Sequence, residues 1–161
     1  MKRPDKPVGD LRQAIEAACM SYLARREYSA AELRQRLGRK GFPEHMVNEV
    51  LAEFRDRGLQ SDVRFAEVFS RDRLGRGCGP HRITQELRQR GIVSETAYEL
   101  DSVDWDRQID VLYARKYGCS LPETLAERAV RERFLMRKGY SGDQIRRLFR
   151  RLRDGECGEH Y

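Results

Sequence analysis

Apolar residues along this chain recur at intervals of three and four: Leu33 and Leu37, then Val47, Val50, Leu51 and Phe54. Phe65, Val68 and Phe69 follow, and later Ile109, Leu112 and Tyr113. This is the period of helices with one buried face, and no stretch alternates as a strand would, so the expected class is all-α. The pattern also repeats on a longer scale. Leu37-Gly38-Arg39-Lys40-Gly41-Phe42 is answered by Leu87-Arg88-Gln89-Arg90-Gly91-Ile92 and by Leu135-Met136-Arg137-Lys138-Gly139-Tyr140. The glycines of these phrases lie 50 and 48 residues apart. A period of this size describes helical units that each need a neighbour to cover their apolar face.

The expectation is nine helices in three tandem three-helix repeats, stacked into an elongated, curved array. Their predicted spans are 11–27, 30–40 and 43–57, then 62–75, 80–90 and 94–101, then 104–117, 123–138 and 141–153. As domains these give a flexible tail at 1–13, repeats at 14–61, 62–103 and 104–153, and a short C-terminal tail at 154–161. Ser29-Ala-Ala-Glu32 and Ser141-Gly-Asp-Gln144 read as capping boxes. Pro43 and Pro80 suit first helical positions, and Gly41, Gly58, Gly91 and Gly139 suit left-handed helix stops. One position breaks the repeat: Leu33 and Ile83 align with Arg131, so Val130 is expected to supply the core contact from a slightly rotated helix.

The chain has 161 residues, 36% of them charged, and a net charge of +6. Only five of its 32 cations are Lys. Arg suits phosphate and carboxylate recognition, and the positive balance favours a nucleic-acid-associated partner. The four cysteines are scattered without metal-ligand spacing, which points to reduced thiols, no disulfide framework and no zinc. No apolar run reaches membrane-spanning length and the charged start is unlike a signal peptide, so a cytoplasmic protein is expected.

Candidate chemistry is sparse. Gly75-Arg-Gly77-Cys-Gly79-Pro80 lacks the strand and the Gly-Lys-Ser/Thr of a phosphate loop and reads as an inter-helix turn, with direct phosphate contact left open. Asp101, Asp104, Asp106 and Asp110 around Trp105 suit a helix N-terminus better than a cation site, with Trp105 as a packing anchor. His45, His81 and His160 have no nucleophile to activate. No active site, cofactor or metal is expected.

The cations segregate on the middle helices and at the end of the chain. Candidate contacts for an acidic partner are Arg34, Arg39, Lys40, Arg71, Arg73, Arg76, Arg88, Arg90, Arg137, Arg146, Arg147, Arg150 and Arg151. The third helices of the first two repeats are acid-rich instead, with Glu44, Glu49, Glu53 and Asp56, then Glu95, Glu99 and Asp101. That disfavours a helix-turn-helix whose second helix enters a DNA groove, because phosphates would repel it.

The run Phe65-Ala66-x-x-Phe69-x-Arg71-x-Arg73-x-Gly75-Arg-Gly77-x-Gly79-Pro80-x-x-Ile83-x-x-Glu86-Leu87-x-x-Arg90-Gly91-Ile92 resembles the signature of the RecX family of recombination regulators. Tyr28-Ser29-x-x-Glu32-Leu33 before it, and Val103-Asp104-Trp105 with Arg133-Phe134-Leu135-x-x-Lys138-Gly139-Tyr140 after it, extend the resemblance over about residues 14 to 152. It implies a non-enzymatic bacterial protein that binds RecA, chiefly as its filament on single-stranded DNA, and limits filament growth, ATPase and strand exchange. Weak non-specific DNA binding and a monomeric state go with that expectation. The alternative is a stand-alone helical DNA-binding regulator.

Overall fold

The computed structural model describes residues 8–93 and 98–156, and among these it contains eight α-helices and no strand. They are α1 (Val8–Leu23), α2 (Ala30–Arg39), α3 (Glu44–Asp56), α4 (Asp62–Gly75), α5 (Pro80–Gln89), α6 (Trp105–Tyr117), α7 (Leu125–Lys138) and α8 (Gly142–Arg153). A short 3-10 turn spans Tyr98–Ser102, where the sequence predicts a further α-helix at 94–101; residues 94–97 lie outside the described residues. Helix α1 starts at Val8, inside the stretch read as a tail, and stops at Leu23 rather than 27.

The described residues fall into two compact units, one from residues 8–68 and 88–93, the other from 69–87 and 98–156. In the first, α3 packs on α1 and α2 around Ile15, Leu33, Leu37, Val47, Val50 and Phe54. In the second, α8 packs on α6 and α7 around Ile109, Tyr113, Leu135, Ile145, Leu148 and Phe149. The boundary cuts α4 and α5, so the second three-helix repeat contributes residues to both units.

Local signals hold at most helix ends. Ser141 forms a complete capping box with Gln144. Ser29 caps α2 by accepting from the Glu32 amide, but the Glu32 carboxylate reaches Arg26 and Arg90 rather than closing a box. Pro43 precedes α3 as its cap residue, one position earlier than expected. Gly41, Gly91 and Gly139 take φ of 83°, 77° and 99°, and Leu37, Leu87 and Leu135 beside them are buried. Val68 lies on the outside of α4, half exposed, while Phe65 from the same run is buried.

The glycine turns also make the contacts between consecutive repeats. In the first unit the Ser29 hydroxyl donates to the Arg90 carbonyl at 2.7 Å, and a Cβ on Gly91 would lie 2.6 Å from the Ala31 Cβ. In the second, the Gly79 amide donates to the Lys138 carbonyl at 2.7 Å and the His81 amide to the Gly139 carbonyl at 3.1 Å. A Cβ on Gly139 would lie 2.6 Å from the Arg82 backbone nitrogen. Ser29 and Gly79 are equivalent positions, as are Arg90 and Lys138, so one junction is built twice. The Gly75–Pro80 turn is thus a structural element, shaped so that Gly79 can lie backbone to backbone against Gly139. Gly41 makes no such approach: nothing lies within 4 Å of the place its Cβ would take.

The third repeat departs from expectation in its polarity. Arg131 is buried and Val130 is half exposed, so α7 has not rotated; the arginine itself occupies the position of Leu33 and Ile83. Burying a guanidinium is costly unless its donors find acceptors. Arg131 donates to the Tyr113 hydroxyl, to the Ser120 carbonyl at 2.6 Å and to Glu127, and lies over the Tyr117 ring at 4.7 Å. Its Nε alone has no partner among the described residues. The cysteines also differ. Cys19 and Cys78 are free and buried, with burial pushing the Cys19 thiol up to about 11, whereas Cys119 is disulfide-bonded. The expectation of reduced thiols throughout is corrected at that position.

Two substitutions test this packing. Leu87→Ala should cost about 2–5 kcal/mol in chemical denaturation, because a cavity is left in a closed core. Gly139→Ala should lower the melting temperature clearly more than Gly41→Ala. Both strain a left-handed residue, but only Gly139 also meets the neighbouring helix.

Candidate functional site

The described residues contain no group of His, Cys, Asp and Glu positioned to hold a metal ion. One open depression, of about 430 Å³, is lined by Ala31, Arg34, Gly38, Phe42 and Val47. The candidate site is therefore the distribution of charge over the helices.

Many of the nominated cations are committed within the protein. Arg73 donates to Glu86 at 2.6 Å and lies over the Phe69 ring, and Arg76 pairs with Asp72. Arg34 donates to the Asn48 side chain at 2.8 Å, and Arg90 faces Glu32. On α8 the two four-residue pairs separate. Arg147 and Arg151 turn toward α6, reaching Asp106 at 3.2 Å and Asp110 at 2.6 Å, while Arg146 pairs with Asp143 in its own first turn. The acidic cluster is thereby explained: Asp104 caps α6, and Asp106 and Asp110 hold α8. Trp105 is half buried and donates to the Leu100 carbonyl, the anchor expected of it.

The remaining nominees are exposed. Arg39, Arg71, Arg137 and Arg150 have no side-chain partner among the described residues, and Arg88 is also on the surface. Lys40 lies over the Tyr22 ring at 5.1 Å. The other described lysines are likewise engaged, Lys138 donating to the Arg76 carbonyl and Lys116 lying over the Phe134 ring at 4.1 Å. Arg133, outside the nominated set, is equally open. A sequence signal for it exists: Arg39, Arg133 and Arg137 have no carboxylate three or four residues away on either side. Arg12, Arg82 and Arg128 do, and each uses it.

Glu86 is the main internal sink for this charge. Its partial burial pushes its carboxyl up, but hydrogen bonds and charge from Arg82 and Arg73 outweigh this and hold it below the ordinary carboxylate range. The α3 acids Glu44, Glu49, Glu53 and Asp56 all remain exposed, so the face that a helix-turn-helix would present to phosphate is acidic. Of these four only Glu53 has an ion-pair partner among the described residues, Arg12 on α1 at 2.5 Å.

Three profiles of one protein family match the chain in order: RecX, first three-helix domain, at residues 17–54; the second at 61–99; and the third at 106–149. The regulatory protein RecX of Halorhodospira halophila is 40% identical over 141 residues, covering 86% of this chain and 88% of that one. That of Ectopseudomonas mendocina is 39% identical over 140 residues, covering 85% and 93%. The crystal structure of RecX from Lactobacillus salivarius superposes with a TM-score of 0.74 at 20% identity, covering 91% of this chain and 99% of that chain, a likeness of fold.

A carboxylate whose folded pKa is lowered contributes stability that is complete above its unfolded value and is lost as pH falls through the folded one. Glu86→Gln should therefore flatten the acid side of the stability profile below the usual glutamate range. Denaturant midpoints measured from neutral pH down to about pH 3 check this; an unchanged acid slope would remove Glu86 from the account.

Proposed function

The chain belongs to the RecX family, and on that premise we propose that it binds RecA, mainly as the filament on single-stranded DNA, and restrains its ATPase, strand exchange and filament growth. Its place is regulation of recombination and DNA repair in the bacterial cytoplasm. The observation that carries the reading is family membership over all three domains. The open guanidinium groups of Arg39, Arg71 and Arg150 support it, since they can meet phosphate or carboxylate without first breaking an internal pair. The exposed acids of α3 suit a target made of protein as well as DNA, and they weigh against a stand-alone operator-reading regulator. Function in this reading is occupancy: the protein brings no catalytic group and acts by where it sits.

Adding the folded protein to RecA on single-stranded DNA should lower DNA-dependent ATP hydrolysis, while the protein alone hydrolyses nothing. Combined Arg39→Glu, Arg71→Glu and Arg150→Glu should weaken that inhibition. It should also reduce the salt dependence of binding to naked single-stranded DNA by about 0.7 in log–log slope for each phosphate that is no longer neutralised. Undiminished RecA activity under excess folded protein would overturn the reading. A sharp preference for one DNA sequence would favour the stand-alone regulator.

A further inference from the structure

Helix α7 is inverted in polarity relative to its two sister helices. In α2 and α5 the core position holds Leu33 and Ile83, and the outer positions hold Gln35 and Gln85, Gly38 and Arg88. In α7 the core position holds Arg131, while Leu125, Val130 and Met136 are 86%, 50% and 60% exposed. At about 100° per residue, the outward residues from Leu125 to Arg137 occupy one arc of roughly 140°. No carboxylate falls within it. Its cations, Arg133 and Arg137, have no side-chain partner among the described residues. Ala126 and Ala129 lie between the larger side chains and leave room for a second backbone to come close.

We propose that this outer face of α7 docks an acidic, apolar-faced helix of the partner protein, which under the reading above is a subunit of RecA. The face runs about 17 Å along the helix, roughly three turns, the length over which helix-on-helix contacts are made. Leu125, Val130 and Met136 gain nothing from phosphate but release ordered water when covered by apolar side chains. Arg133 and Arg137 then require carboxylates on the incoming helix, in the spacing of a single turn. This combination selects a protein surface over nucleic acid. The buried Arg131 supports the same face from behind, because its bonds to Tyr113 and Ser120 hold α7 against α6 and the following loop without drawing on the outer residues.

The test is binding of the fluorescently labelled full chain to RecA filaments on single-stranded DNA, with the same DNA naked in parallel. The variants are the triple Leu125→Ser, Val130→Ser, Met136→Ser and the double Arg133→Glu, Arg137→Glu. The triple should weaken filament binding about tenfold or more, as loss of central apolar anchors does, and leave naked-DNA binding unchanged. The double should weaken filament binding most at low salt. Should the triple lose its thermal transition, Val130→Asp alone supplies the same readout. Parent-like filament binding by the apolar variants overturns the proposal while the RecA reading stands, as does equal weakening on naked DNA, which makes the face a DNA contact. A parent chain that ignores the filament overturns the RecA reading and the docking face with it.

Discussion

The middle helix of each repeat ends in a glycine held in the left-handed conformation, and two of these glycines must also admit a neighbouring helix start to within atomic contact. That pair of demands organises much else in the molecule. It explains why Gly91 and Gly139 tolerate no side chain, why Ala31 faces one of them and why Gly79 faces the other. It sets where the apolar residues go, because Leu87 and Leu135 can close their cores only once the chain has reversed just beyond them. The hydrogen bonds at each junction come from backbone carbonyls that a helix C-terminus leaves unpaired. The same groups therefore end one helix and hold the next repeat.

Charge is arranged around this frame by a different logic. The acids at the start of α6 are spent on the cations of α8, and Glu86 on two cations at once, so the number of cations, not the net charge, overstates what the surface offers. The usable positive potential resides in a handful of exposed guanidinium groups, those of Arg39, Arg71, Arg133, Arg137 and Arg150, which have no side-chain partner among the described residues. On the proposed reading, in which the protein acts by occupancy, patches of unspent charge and an uncovered apolar face are all that its surface has to supply.

Most of the fold is legible in the sequence because its signals are local. Ser141 with Gln144, the glycine stops and the three-and-four spacing each act within a turn or two of helix, so they can be read without knowing what lies opposite. What the sequence hides depends on residues far apart along the chain. Asp106 and Arg147 stand 41 positions apart, and each is conspicuous on its own without pointing to the other. Arg131 looks unfit for a core because its acceptors, the Tyr113 hydroxyl and the Ser120 carbonyl, come from another helix and a loop. The Gly79 amide can be assigned to a turn, but its carbonyl partner on Lys138 cannot be foreseen. Among the nominated cations, spacing along one helix does not foresee the pairs made across helices, as when Arg147 and Arg151 reach Asp106 and Asp110 on α6.

The division of labour between the two kinds of cation has a consequence for control. Lys40, Lys116 and Lys138 are each occupied by a ring or a carbonyl, while the unpaired positive charge of the described surface belongs to arginine. Guanidinium groups remain protonated at every pH a cell reaches, and enzymes that acetylate amines leave them untouched. The positive charge of these unpaired arginines is thus beyond the reach of lysine acetylation. Ionic strength does reach it, because charges this exposed are screened beyond about 10 Å at 0.1 M salt.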